Sequence, residues 1–238
     1  MLKKLLLILC LPLLSYGQSL QSAKFQRVTA DTVIVNYVIT ADSGKFGGSS
    51  NYVTISDSLG VTLEGDATVW DDIMMPVTSG RLGALSKPDF NYDSVTVQFP
   101  FNDSTEILYF IAQLPHRYKD GTNIYPHVHW KQTEPTGDAS SDTVEFAIQY
   151  KWFNIGAAPP SSWSWELIGT PEISYTSGML HQLTATASGI DGTGKTKSSV
   201  LLIKLKRREA KGPLADVEVY QMDIHFEVSR LGTSSIYN

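Results

Sequence analysis

Of the 238 residues in this chain only Cys10 is a cysteine, and it sits in the first apolar stretch. Downstream of it no disulfide, thiolate nucleophile or cysteine metal site can form, so a packed core must supply stability. Long apolar runs are missing too. The longest, residues 5–14, reaches only about half the length that a membrane-crossing helix needs. Basic residues are outnumbered, with 19 Lys and Arg against 24 Asp and Glu for a net charge of -5. That balance argues against nucleic acid as a partner, because neutralising a phosphate backbone takes clustered cations. The one basic run, KLKRR at 204–208, reads as the solvated end of a strand. There is no G-x-S-x-G elbow, no visible carboxylate pair and no sustained 3.6-residue apolar period.

What is present begins with a leader. Lys3 and Lys4 precede the apolar run, and Ser15 and Gly17 are small, the arrangement of a cleaved secretory signal over 1–17 with the mature chain starting at Gln18. Leu9 before Cys10 is too large for a lipoprotein signal. The protein is therefore expected to be secreted, periplasmic or extracellular, with no membrane attachment once the leader is gone.

The rest alternates with a period of two. TVIVNYVIT (32–40), SVTVQFPF (94–101), VEFAIQYKWF (144–153) and VEVYQMDIHFEV (217–228) each place apolar side chains on one face, as half-buried antiparallel strands do. EILYFIAQL (106–114) is apolar on both faces and reads as a strand deep in a sandwich. Turn clusters at 43–51, 133–142, 154–163 and 188–198 separate the runs. The pattern predicts an all-β fold, an antiparallel β-sandwich of jelly-roll type over 63–238, with 18–62 adding a β arm or extra strands.

Two motifs carry chemistry. SGIDGTGKT (188–196) satisfies the phosphate-loop pattern G-x-x-x-x-G-K-[ST]. A phosphate loop, however, must open a helix whose amides meet the phosphates, and here KSSVLLIKLK follows and reads as a strand. The expectation is a structural turn and no nucleotide. GTNIYPHVHWKQTE (121–134) fits the first half of the cupin pattern, G-x5-H-x-H-x4-E, through Gly121, His127, His129 and Glu134. Residues two apart on a strand face the same way, so His127 and His129 can share one divalent metal ion. His181 and His225 are candidate further partners, the latter flanked by Asp223 and Glu227; sheet histidines without metal are the alternative. Trp152, Trp163, Trp165 and Tyr175 could form a platform for sugar, or Trp163 and Trp165 could share a strand face in the core.

LEGDATVWDDI (63–73), LPHRYKDGTNIYPHVHW (114–130), YKWFNIG (150–156), IDGTGKTKSSVLLIKLKR (190–207) and YQMDIHFEVSRLGTSSIY (220–237) resemble blocks of a group of uncharacterised proteins of tailed phages and environmental viral genomes. Members share V-W-D-D-[IL], P-H-[VI]-H-W, G-T-G-K-T and D-[FI]-H-[FY] stretches, which correspond here to His127, His129, Asp223 and His225. The resemblance implies a virion or tail-associated β-structural protein, not an enzyme. It also implies a structural role for the Gly-rich turn and none for Glu134. A leader is unusual for a virion protein, so an exported viral protein and a cellular one derived from phage are both open.

Three readings follow. One is a non-enzymatic structural or adhesion module that self-assembles, as a trimer, and contacts virion proteins or a cell-surface glycan. The second is a cupin-like metal protein using His127, His129, Glu134 and His225. The third is a secreted carbohydrate-binding module.

Overall fold

The computed structural model describes residues 43–56, 60–92, 97–101, 104–132, 145–169, 181–186, 188–208 and 217–231. All lie in the compact unit that spans 41–238. The expected leader, the strand over 32–40, the turn at 133–142, Glu134 and Tyr175 fall outside the described residues.

The chain opens with an antiparallel three-stranded sheet of β1 (Ser43–Gly47), β2 (Tyr52–Ser56) and β3 (Gly60–Glu64). Residues 43–51, expected as a turn, are thus half strand: β1 pairs with β2 and only 48–51 close the hairpin. The boundary expected at 62 falls inside β3. That strand is tied to the chain beyond the last strand, because Leu63 N–H donates to Ser229 O at 2.7 Å and Leu231 N–H to Val61 O at 2.9 Å.

Next come β4 (Val69–Pro76), β5 (Arg81–Leu82), β6 (Asn91–Tyr92), β7 (Val97–Phe101), β8 (Leu108–Gln113) and β9 (Ile124–Gln132). They are followed by β10 (Phe146–Phe153), β11 (Ser164–Ile168), β12 (Gln182–Ala185), β13 (Val200–Arg207) and β14 (Val217–Val228). Two antiparallel sheets result, one ordered β11-β10-β13-β8-β5 and the other β12-β9-β14-β7-β6. β4 pairs with the C-terminal half of β14, beyond the stretch that pairs with β7. Numbered one to eight from β7 to β14, the strands stand 1-8-3-6 in one sheet and 2-7-4-5 in the other. The two sheets thus interleave in chain order, as sheets do in an antiparallel β-sandwich. Among the described residues the only helical turns are two short 3-10 segments, at Gly65–Ala67 and Val77–Ser79.

The alternation seen in the sequence puts one face of each sheet against the other. Val128, Trp130, Met222, Ile224 and Phe226 meet Phe110, Phe146, Ile148, Leu201 and Leu205 in one buried core, each large side chain contributing about 1.5–3 kcal/mol by leaving water. EILYFIAQL proves one-sided: Leu108, Phe110 and Ala112 are buried, while Ile111 is 59% exposed. Its second apolar face is the outside of the sandwich. At one edge Arg207 reaches from β13 to the other sheet, its Nη1 donating to Phe101 O at 2.7 Å.

Tyr118 packs its ring near Trp152 and Phe226 and donates its hydroxyl to Thr122 O. Burial pushes its phenol from 10.0 up to about 12. The unfolded chain loses this proton first, so the contribution of Tyr118 to stability is complete below pH 10 and is lost as pH rises toward 12. Urea midpoints measured across that range should fall in the native protein, and Tyr118→Phe should fall less.

Candidate functional site

The outer face of the β12-β9-β14-β4 region gathers most of the histidines. On β9, Tyr125, His127 and His129 alternate with the core residues Ile124, Val128 and Trp130. On β14 the register slips between Val219 and Gln221. Tyr220 is the extra residue of this bulge, which turns Gln221, Asp223 and His225 outward while Met222, Ile224 and Phe226 enter the core. Pairing then sets Asp223 opposite His127 and Gln221 opposite His129.

Asp223 is the hub. Its Oδ2 lies 3.4 Å from His127 Nε2 and 3.2 Å from His129 Nε2, and it accepts from Gln221 Nε2 at 2.8 Å. Its Oδ1 is buried with no hydrogen-bond partner among the described residues. Burial alone would raise this carboxyl, but the neighbouring imidazole of His127, the amide of Gln221 and, more weakly, His129 outweigh it and hold the group below the ordinary carboxylate range. His129 moves down from 6.5, chiefly because burial disfavours its charged form, with Asp223 opposing. Both shifts favour a carboxylate facing neutral imidazole.

The sequence-predicted residues part company here. His127, His129 and Asp223 bring their ligand atoms within 4.8 Å of one another. His225 stacks edge-on to His127, with centroids 4.3 Å apart, yet its Nε2 bonds Asp72 Oδ1 at 2.8 Å and not Asp223. His181, the other candidate partner, reaches His129 through the nitrogen remote from Asp223: Nε2 to Nδ1 is 2.7 Å. Asp72 belongs to the V-W-D-D block, but only the strand pairing of β4 with β14 reveals its role. The interior between the sheets is filled by Val128 and Trp130, so this cluster sits outside the sandwich.

The Gly-rich loop is closed on itself. Lys195 Nζ donates to Trp152 O at 2.9 Å. Its amides are taken as well: Thr193 N–H by Asp191 Oδ1 at 2.9 Å, Lys195 N–H by Gly192 O at 2.8 Å, and Lys197 N–H by Asp120 Oδ1 at 2.6 Å. The loop then enters β13 and no helix. Lys195 Nζ and these three amides are thus committed to other groups of the protein.

The opposite sheet shows a second outer face. Trp152 is buried and donates its indole N–H to Ser199 Oγ at 2.8 Å. The expected core pair, by contrast, is not core: Trp165 is 56% exposed on β11. Trp163 precedes that strand, with Lys204 Nζ 4.0 Å and Lys151 Nζ 5.2 Å from its ring centroid. A cleft of about 300 Å³ is lined by Trp163, Tyr109, Ile111 and Arg81 among others, with no carboxylate among the described residues of its wall. A second, of about 410 Å³, joins Trp165 to Lys206 and Arg208. The basic run at 204–208 is therefore divided: Lys204 and Lys206 stand on this face, Arg207 is buried on Phe101 O, and Arg208 lies 3.5 Å from Glu145.

No protein-family model and no curated protein sequence matches the chain. Among solved structures it is similar to a xylanase of Cellvibrio japonicus bound to xylopentaose, with 11% identity, a TM-score of 0.35, and 62% of this chain and 26% of that one covered. It is also similar to a xylan-binding module (12% identity, TM-score 0.37, 66% of this chain and 97% of that one). A third is dimeric latent PorU of Porphyromonas gingivalis, at 7% identity and a TM-score of 0.34, covering 80% of this chain and 15% of that one. The match thus spans about a quarter of the xylanase and a smaller part of PorU. What the chain is, on fold grounds, is an all-β antiparallel sandwich.

Proposed function

We propose that the chain is a non-enzymatic, exported binding module of structural or adhesion type that holds acidic glycans on the outer face of the β11-β10-β13-β8-β5 sheet. One observation carries this reading: a row of outer-face aromatic rings, half-buried Tyr109 and Trp163 and exposed Trp165, edged by cations and with no carboxylate among the described residues of the Trp163 cleft, on a protein whose net charge is negative. Sugar rings present an apolar C–H face that packs on indole and phenol rings, while uronate carboxylates pair with Arg and Lys. Lys204 and Lys151 hold Trp163 in place and at the same time offer positive charge beside it. The phage-group resemblance supports a structural scaffold over a catalyst.

Affinity electrophoresis in gels containing polygalacturonate tests the reading. The native chain should be retarded, salt should weaken the retardation, and the carboxyl-reduced polymer should retard it far less. Trp163→Ala should weaken binding by about 1–3 kcal/mol, the scale of one lost aromatic platform residue with its cation contacts. Equal retardation by the neutral polymer, or none by either, would contradict it.

A specific observation also favours self-assembly. Trp70 and Met74 on β4 are 56% and 68% exposed, and Leu183 on β12 is 55% exposed. Among the described strands β4 pairs only with β14. Apolar side chains beside an open edge suit a symmetric contact, so native mass spectrometry of residues 18–238 should return a trimer.

A further inference from the structure

We propose that His127, His129 and Asp223 form a binding site for a first-row divalent cation of the zinc class. The site is separate from the glycan face and does not depend on that reading.

Distances argue first. Zn–N and Zn–O bonds of about 2.0–2.1 Å at a tetrahedral angle place neighbouring ligand atoms about 3.3–3.4 Å apart. His127 Nε2 and His129 Nε2 stand 3.4 Å and 3.2 Å from Asp223 Oδ2. A charge-assisted hydrogen bond would draw these atoms to about 2.7–2.9 Å, as happens between His225 and Asp72 at 2.8 Å. Both histidine–Asp223 edges have the length of ligand edges around an ion, with all three ligand atoms within 4.8 Å of one another, and the neighbouring pair has that of a hydrogen bond.

Burial argues second. Asp223 is 4% exposed, His127 3%, and Asp223 Oδ1 has no hydrogen-bond partner among the described residues. Leaving a buried carboxylate oxygen unsatisfied is costly, and an ion that Asp223 grips through both oxygens would offset that cost.

The surroundings argue third. A metal-bound imidazole is usually fixed by a bond through its other nitrogen, and His181 supplies that bond to His129 Nδ1 at 2.7 Å. Gln221 orients Asp223 by donating to its Oδ2. A surface hollow lined by His129, His181, Tyr220 and Gln221 gives an ion a way in. Two nitrogens and one carboxylate oxygen select zinc, cobalt or iron(II) over calcium or magnesium, which take oxygen donors.

The test titrates the chelator-stripped full chain with Co²⁺, whose visible absorption reports the ligand field, and then displaces it with Zn²⁺. One Co²⁺ per chain should bind with imidazole-type absorption. Asp223→Asn, which keeps side-chain shape, should weaken binding more than about 100-fold. His181→Ala should weaken it about 10- to 100-fold as an orienting partner, whereas His225→Ala should change it little. His129→Gln, at a side chain that is 20% exposed, gives a second ligand variant should Asp223→Asn fail to fold. Absence of stoichiometric Co²⁺ in the native chain, or native affinity in the ligand variants, would overturn the site. Retention of polygalacturonate by Asp223→Asn would show the glycan reading intact whichever way the metal result falls.

Discussion

Gly192→Ala is expected to leave the chain unable to hold its native fold. A Cβ at this buried position would lie 1.7 Å from Thr122 O and 2.5 Å from Thr122 C, both backbone atoms that cannot turn aside. The loop would have to leave β9's approach, breaking the bridge between Ile124 and Ile190 and the bond from Gly121 N–H to Lys195 O. We expect a loss of more than about 4 kcal/mol, the range reserved for severe steric or network failures. Gly194→Ala is the matched control. Its φ is +73° and nothing lies within 4 Å of the added carbon, so only the left-handed backbone penalty of about 1–2 kcal/mol applies. Urea unfolding of the two variants checks the difference. Equal, mild losses would show that the Gly-rich segment is not locked as described.

Trp130→Ala should cost about 3–5 kcal/mol, as large-to-small changes at fully buried aromatics do. Trp130 is 0% exposed and meets Phe146 of the other sheet edge-on, with centroids 6.2 Å apart. It also sits between His129 and Lys131 on β9, and Lys131 bonds Glu218 across to β14 at 2.9 Å. Loosening this stretch frees the register that sets His129 opposite Gln221. Cobalt affinity should therefore drop along with the thermal midpoint, unlike in Leu183→Ala, which removes an exposed side chain.

Much of this architecture could be read from the chain itself, for a physical reason. In β9 and in the C-terminal part of β14, period-two alternation maps directly onto inside and outside, so Val128, Trp130, Ile224 and Phe226 were assignable to the core and His127 and His129 to one face. The bulge at Tyr220 was not legible, because a single extra residue leaves no local signature and shows only as a parity change between Val219 and Met222. Asp72 escaped notice since β4 reaches β14 across a large sequence separation. The tryptophans of WSW misled because apolar alternation cannot say which face of an edge strand is open, and Trp165 faces solvent. The same ambiguity hid Ile111 on the outer face of β8.

The glycan face is tested most directly by where a ligand touches the sandwich, and the chain's 5 tryptophans report this residue by residue. Indole N–H resonances of ¹⁵N-labelled protein, assigned by single Trp→Phe variants, should be followed during titration with a galacturonate oligosaccharide. Trp163 and Trp165 should shift with one saturating curve while buried Trp130 and Trp152 stay fixed. Shifts confined to Trp70, on the other sheet's outer face, or no shift at saturating sugar, would contradict it.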